Sequence, residues 1–272
     1  MTPHGQSAWV VGGAGFLGRA LVRLCRAAGE CLVIDPACGD GGVSGAGGDP
    51  AAVAQALALT GLPSVVYCCA ATRGGDAAAY RRVYVETVQQ LTALLPGVRL
   101  VFCSSTAVYE GRGEVTEDSP TAKAGDKLQL LQEAEHAALE AGGAVARLAP
   151  LYGENRCELL RRHIAGEPQL PGTPERVLNY LHVEDAANAL YRLGTARALP
   201  HRIYNVCGES LTKAQAYAML AELTGRPASP TVAQAARRGG SDHRVCAARL
   251  KAELNWTPQR SLREFIRKAI LA

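Results

Sequence analysis

The chain has 272 residues, 48% of them apolar and 5% aromatic, with a formal net charge of +4. That is enough apolar sequence for one large α/β domain, or for one domain with a small appended lobe. The weak charge is unclustered, with Arg161-Arg162 and Arg237-Arg238 as isolated pairs, no basic leader and no span-length apolar run, so no nucleic acid, no membrane and a cytoplasmic location are expected.

Residues Ala8–Val11 read as a short apolar strand, and Gly12-Gly13-Ala14-Gly15-Phe16-Leu17-Gly18 as a turn opening into a helix that runs to Ala28 and stops at Gly29. In that context each glycine has a task. Gly12 permits the tight turn, Gly15 lets backbone approach a pyrophosphate, and Gly18 lets the helix pack closely on the strand. Free N–H groups and the positive end of the helix dipole then face the phosphates.

Cys31–Asp35 is a second buried strand, ending in an acid twenty residues after Gly15. Asp35 reads either as a turn cap or as the acceptor for adenosine ribose hydroxyls, and its position favours the ribose. No arginine follows it in Pro36-Ala37-Cys38 to neutralise a 2′-phosphate. A carboxylate about 4 Å from a phosphate charge costs on the order of 4 kcal/mol at an effective dielectric of 20, so NAD is expected rather than NADP. Arg19 and Arg73 are the two cations that could oppose that preference.

Gly39–Gly48 has no periodicity and reads as a flexible loop, with Asp49 and Pro50 opening a helix over Ala51–Leu59. Ser64–Cys69 is a strand that delivers Ala70 and Ala71 to the edge where cofactors bind in open parallel sheets. Asp76–Leu95 reads as one long helix. Val98–Cys103 is a strand delivering Ser104-Ser105-Thr106-Ala107-Val108-Tyr109, and Glu110–Ser119 an acidic loop. Helix Asp126–Ala141 and strand Ala144–Leu148 complete an α/β, doubly wound parallel sheet over 1–149, with later segments contributing to it. From 150 to 272 the prolines and shorter elements suggest a small C-terminal lobe over the ligand side, not independent of the first part. Its helices are expected at Cys157–Ala165, Val183–Leu193, Thr212–Leu223, Ala247–Leu254 and Leu262–Leu271, with a strand at Arg202–Val206. The nine cysteines lack any Cys-x-x-Cys pair, Cys68 and Cys69 point to opposite strand faces, and no metal site is expected; most read as small buried apolar residues in a reducing compartment.

Together, Gly12–Gly18, Ser104–Tyr109, Leu151-Tyr152-Gly153, Leu181-His182-Val183-Glu184-Asp185-Ala186-Ala187, Ile203–Val206 and Ala248–Trp256 resemble the extended or atypical short-chain dehydrogenase/reductases, the NAD-dependent epimerase/dehydratase family. The resemblance covers nearly the whole chain. It implies a Rossmann domain with a C-terminal substrate lobe, and many members act on nucleotide sugars. By the same resemblance Gly12, Gly15, Phe16, Leu17, Gly18, Asp35 and Ser104 hold the dinucleotide, with Asp49 near the adenine and Ala70 and Ala71 along the nicotinamide. Ser105 matches the family's catalytic Ser/Thr, whose hydroxyl polarises a carbonyl or alcohol. Arg156, Arg176 and Asn179 lie where related enzymes contact a substrate's phosphates or sugar, and the two long helices resemble those that pair in homodimers.

One part of the pattern breaks. No register restores the family's Tyr-x-x-x-Lys: aligned on Glu133 its positions carry Gly125 and Gln129, other registers put Lys123 with Lys127 or Lys127 with Leu131, and Tyr84 stands where the preceding helix usually has asparagine. A phenol must come down by about 3 units, or roughly 4 kcal/mol, to act as a base near neutrality, and a neighbouring lysine normally supplies part of that bias. Tyr109 and Lys127 are the remaining proton-donor candidates beside Ser105, with Lys127 also readable as an exposed helical pair with Lys123. His182, between two apolar residues, reads as a packed core histidine. The expected function is an NAD-dependent epimerase/dehydratase- or reductase-type enzyme on a small-molecule substrate, with a non-standard acid/base. The alternative is a dinucleotide-binding protein without catalysis.

Overall fold

The computed structural model describes residues 7–39, 41–72, 74–230 and 242–271; Arg73 and the Arg237-Arg238 pair lie outside the described residues. In chain order the elements are β1 (Ala8–Val11), α1 (Phe16–Ala28), β2 (Cys31–Ile34), α2 (Pro50–Thr60), β3 (Val65–Cys68), α3 (Ala77–Tyr80), a π-helical stretch (Arg81–Glu86) and α4 (Thr87–Leu94). Then come β4 (Arg99–Ser105), a 3-10 turn (Thr106–Val108), β5 (Arg112–Val115), α5 (Asp126–Glu140), β6 (Ala144–Leu148), β7 (Leu151–Tyr152), α6 (Glu158–Ile164) and β8 (Val177–His182). The chain finishes with α7 (Val183–Thr195), β9 (Ile203–Val206), β10 (Glu209–Thr212), α8 (Lys213–Thr224), β11 (Asp242–Val245), α9 (Ala248–Leu254) and α10 (Leu262–Leu271).

Six strands form a parallel sheet in the order β2-β1-β3-β4-β6-β9. Their residues are almost wholly buried, as continuous Val/Ile/Leu runs require when helices cover both faces. Helices α1 and α7 pack together on one face, and α2, α4 and α5 cover the other. Thus α7 and β9, from late in the chain, complete the first layer. A second core gathers Tyr152, Leu160, Leu178, Tyr217, Leu220 and Ile266 around the three-stranded sheet β10-β8-β7. Asp185 anchors the tail to this frame: its two carboxylate oxygens accept from the amides of Gln259 and Arg260, both at 3.0 Å, while Trp256 donates to its carbonyl. Burial pushes the Asp185 carboxyl up, and the two amide donors oppose that shift.

Three expectations differ from the structure. The long helix is broken by the π-helical stretch Arg81–Glu86, which sets Tyr80 and Tyr84 side by side with ring centroids 5.1 Å apart. The loop at Gly39–Gly48 is not featureless, because Val43 is fully buried and exchanges main-chain hydrogen bonds with Val33 and Asp35. The acidic loop contains β5, paired in parallel with β11 some 130 residues later (242 against 112). Neither strand shows apolar alternation, so nothing local announces them. Of the nine thiols, all free, three are buried and six are half-buried.

Candidate functional site

Parallel strands deliver their C-terminal ends to one edge, and there the glycine turn meets the ends of β2 and β3, with β4 next along the sheet. Gly12 has φ +79°, and a Cβ on it would lie 2.6 Å from the Ala70 nitrogen and 2.7 Å from the Cys69 carbonyl carbon. Only glycine fits that contact. A Cβ on Gly18 would run into the Gly12 and Gly13 backbone, which is the close helix–strand approach expected of it. Gly15 is different: its side-chain position meets nothing closer than the Gly12 carbonyl at 3.1 Å, so it leaves open surface. Gly15 caps α1 without a side-chain hydrogen bond, and the first turn holds no acid. The N–H groups at Phe16 and Leu17 have no intrahelical acceptor by construction, and Gly15 and Phe16 beside them are half-buried while Leu17 is buried. This cradle fits a pyrophosphate.

Asp35 stands beside it. Its Oδ2 accepts from the Ala14 amide at 3.1 Å and its Oδ1 from the Ala37 amide at 2.8 Å. Both oxygens keep a further lone pair for a ribose hydroxyl. Arg19 donates from one guanidinium nitrogen to the Ala14 carbonyl at 2.7 Å. Asp49 caps α2, accepting from Ala51 at 3.1 Å, with its carboxylate exposed. Ala70 and Ala71 follow β3 directly, Ala70 against Gly12.

The hydroxyls at the end of β4 separate sharply. Ser105 is half-buried, and its Oγ accepts from the Ala107 amide at 3.1 Å, leaving its proton free to donate. Ser104 instead points into the core and donates to Glu135 Oε1 at 2.5 Å. Glu135 is held bidentately by Arg147, with Nη2 to Oε2 at 2.6 Å and Nε to Oε1 at 3.0 Å. The Ser104 side chain is thus a member of a buried network and turned away from the cleft, so of this residue only the main chain is offered to a cofactor. Tyr109 belongs to the same network. Its hydroxyl donates to Asn205 Oδ1 at 2.7 Å and accepts from Arg147 Nη1 at 3.0 Å, and the residue is 4% exposed. Burial pushes its pKa up despite Arg147 and Asn205, the wrong direction for a base. The signal missed in the sequence was Arg147 on an otherwise apolar strand, since a guanidinium there demands a buried acid.

Lys127 is exposed near the start of α5, its Nζ 5.2 Å from the Tyr80 ring centroid. Tyr84 has its hydroxyl 3.4 Å from the Thr72 amide, and burial raises its pKa. His182 caps α7, with Nδ1 accepting from Glu184 at 3.2 Å. Arg156 arrives on a tight turn closed by two main-chain hydrogen bonds with Gly153, with Asn155 at φ +58°. That turn lays its guanidinium 5.0 Å over the Phe16 ring, at the mouth of the cradle. Arg176 donates to the Pro171 carbonyl at 2.6 Å. Asn179 is buried, donates to the His243 carbonyl at 2.8 Å, and accepts from Ser210 at 2.7 Å and Val245 at 3.2 Å, so most of its side chain is engaged within the fold rather than offered to a substrate. These contacts lock β8 against β11 and β10 and occupy the Oδ1 acceptor, leaving of the side chain only the second Nδ2–H.

Solved structures with this fold are numerous. MoeE5 in complex with UDP-glucose and NAD is 24% identical with TM-score 0.82, covering 98% of this chain and 100% of that one. The enzyme WbmG of Bordetella bronchiseptica in complex with NAD is 20% identical with TM-score 0.81, covering 100% and 95%. UDP-glucuronic acid 4-epimerase from Bacillus cereus, in complex with UDP-glucuronic acid and NAD, is 18% identical with TM-score 0.79, covering 98% and 100%. No curated protein matches the sequence. The family model described as NAD dependent epimerase/dehydratase matches residues 8–207, and the chain belongs to that family.

Proposed function

We propose that this chain is an NAD-dependent oxidoreductase of epimerase/dehydratase or reductase type, acting on a small, nucleotide-sugar-like substrate with a non-standard acid/base. The observation that carries the reading is the convergence of the Gly12–Gly15 cradle, the uncapped start of α1, Asp35 and the free Ser105 proton on one sheet edge. The family's NAD dependence, and the NAD in MoeE5, WbmG and the 4-epimerase, support the cofactor.

Bound NAD supplies a hydride acceptor. The chain supplies the rest. Asp35 receives the ribose hydroxyls and repels a 2′-phosphate, so NADP is disfavoured. Ser105 donates to the substrate oxygen beside the nicotinamide. Lys127 is the titratable side chain left to move a proton near the start of α5, and Arg156 offers a charge to a phosphate at the cradle mouth. The pairing of α3–α4 and α5 with a second copy is the accompanying proposal for assembly. Among the described residues no helix is long and apolar enough to cross a membrane.

The test is to titrate the protein with NAD and NADP, then mix the NAD complex with UDP-glucose and UDP-glucuronic acid and follow reduced-nicotinamide absorbance. Tight NAD binding with substrate-dependent reduction, lost in Ser105→Ala, is the expected result. NAD binding without reduction by either nucleotide sugar selects the second reading, a binding protein without catalysis, which the lack of a Tyr-x-x-x-Lys in any register over 119–131 favours.

A further inference from the structure

Cys69 and Cys103 stand side by side where β3 and β4 reach the cofactor edge. The parallel register pairs Cys68 with Phe102, so the next step along both strands sets Cys69 against Cys103 on one face. Their sulfurs are 3.5 Å apart. Neighbouring strands lie about 4.8 Å apart, inside the Cα separation of roughly 4.4–6.8 Å that a disulfide spans. Both residues are half-buried, whereas Cys68 on the opposite face is buried. The pair also lies in the floor of the cleft. The Cys69 amide donates to the Val11 carbonyl at 2.8 Å, its carbonyl carbon abuts Gly12, and Ala70 and Ser104 are the next residues in each strand.

We propose that Cys69 and Cys103 are a modification site, a dithiol in the floor of the dinucleotide cleft that a hydroperoxide closes to a disulfide and small thiols reopen. In the first step the Cys69 sulfur attacks the terminal peroxide oxygen. The O–O bond breaks, an alcohol or water leaves, and sulfur gives up two electrons to become a sulfenic acid. In the second step the Cys103 sulfur attacks the Cys69 sulfur. The S–S bond forms as the S–OH bond breaks, and the departing hydroxide takes the Cys103 proton and leaves as water. Its hydrogen bond to Cys69 and its burial push the Cys103 thiol up, so it keeps that proton until the second step. Two molecules of a small thiol reverse the reaction and leave as their own disulfide.

Closure brings the sulfurs from 3.5 Å to about 2.05 Å. It draws Cys69 toward β4 and away from β1, pulling on the backbone that packs against the turn at Gly12, where there is no room for a methyl group. The disulfide form therefore distorts the cradle and weakens NAD binding, and by linkage bound NAD opposes closure by the same factor. This consequence rests on the NAD reading above. The disulfide itself does not.

The experiment treats the full chain with hydrogen peroxide, blocks remaining thiols with iodoacetamide and maps tryptic peptides without reductant. The expected product links peptide 27–73 to peptide 100–112, disappears with dithiothreitol, and is absent from Cys69→Ser and Cys103→Ser. Cys103 recovered fully alkylated after peroxide overturns the site. Fragmentation of the linked pair, which separates Cys69 from Cys31, Cys38 and Cys68 in the same peptide, reads the site on the wild-type chain and does not depend on the variants folding. NAD titration then compares reduced and oxidised protein, with an affinity loss of about tenfold expected on oxidation. Equal affinity in both forms, with the linked peptides present, overturns the effect on the cleft. A reduced protein that binds no NAD overturns the cofactor reading and leaves the disulfide standing.

Discussion

The Tyr109 hydroxyl donates to Asn205 Oδ1 at 2.7 Å, joining the end of the β4 segment to the edge strand β9 across 96 residues of chain. Arg147 donates to the same hydroxyl from below, so the phenol is held on both sides by groups that are themselves buried. Tyr109→Phe leaves one donor and one acceptor without partners. The expected loss is about 1–3 kcal/mol of stability, with NAD affinity unchanged within about twofold. Urea unfolding and NAD titration of the same variant check both halves, and an unchanged unfolding midpoint would contradict the structural role.

Asp35→Ala removes the acceptor for the Ala14 and Ala37 amides and for the ribose together. NAD affinity should fall about tenfold or more, ~1.4 kcal/mol, while NADP loses less because a repulsive charge disappears with the carboxylate. Calorimetric titration with both dinucleotides measures the ratio. A larger loss for NADP would reverse the cofactor assignment.

Arg156 is exposed and stacked on Phe16. Arg156→Glu places a negative charge at the cradle mouth, and dinucleotide binding should weaken about tenfold at low salt and less at high salt, as screening shortens the reach of the charge. The melting temperature should hardly move, because no buried contact is lost. Salt-independent weakening would point to a loop rearrangement instead.

Burial lowers the pKa of His163, His182 and His243, with a neighbouring arginine adding to the effect at His163 and Arg260 at His182. In each case the unfolded chain binds the proton more readily than the fold. Their stabilising contribution is therefore complete above the ordinary histidine value near 6.5 and is lost as pH falls through the depressed folded values. Melting temperature should decline from pH 7 to pH 5. The slope per histidine is bounded by about 1.4 kcal/mol per pH unit. His243, buried edge-on to Tyr109 at 5.8 Å, is the one to replace: His243→Gln should flatten the decline.

Gly12→Ala meets both a left-handed backbone and the Ala70 nitrogen at 2.6 Å. Backbone strain and a contact that cannot relax should together cost about 2–4 kcal/mol. Gly15→Ala, with only one carbonyl nearby, should fold normally and lose NAD binding. Comparing the two by thermal unfolding and titration separates the glycine that shapes the turn from the one that leaves room for a ligand.

The chain's own order of residues was sufficient for β1, the glycine turn, α1 and Asp35, and for the alternation that builds the parallel sheet. Those features depend on backbone freedom at single positions, helix ends and apolar runs, all of which act within a few residues. Tertiary structure alone decided which polar groups are free. Ser104 and Ser105 are adjacent, yet one is consumed by Glu135 and the other keeps its proton, because strand alternation turns them to opposite faces and only one face holds a buried acid. Tyr109 and Asn179 were likewise taken by partners 28 to 96 residues away. The pairing of β5 with β11 and of Cys69 with Cys103 also needed the folded register. A buried polar group must be satisfied wherever a partner can be brought to it, and such partners come from distant segments that local sequence does not place.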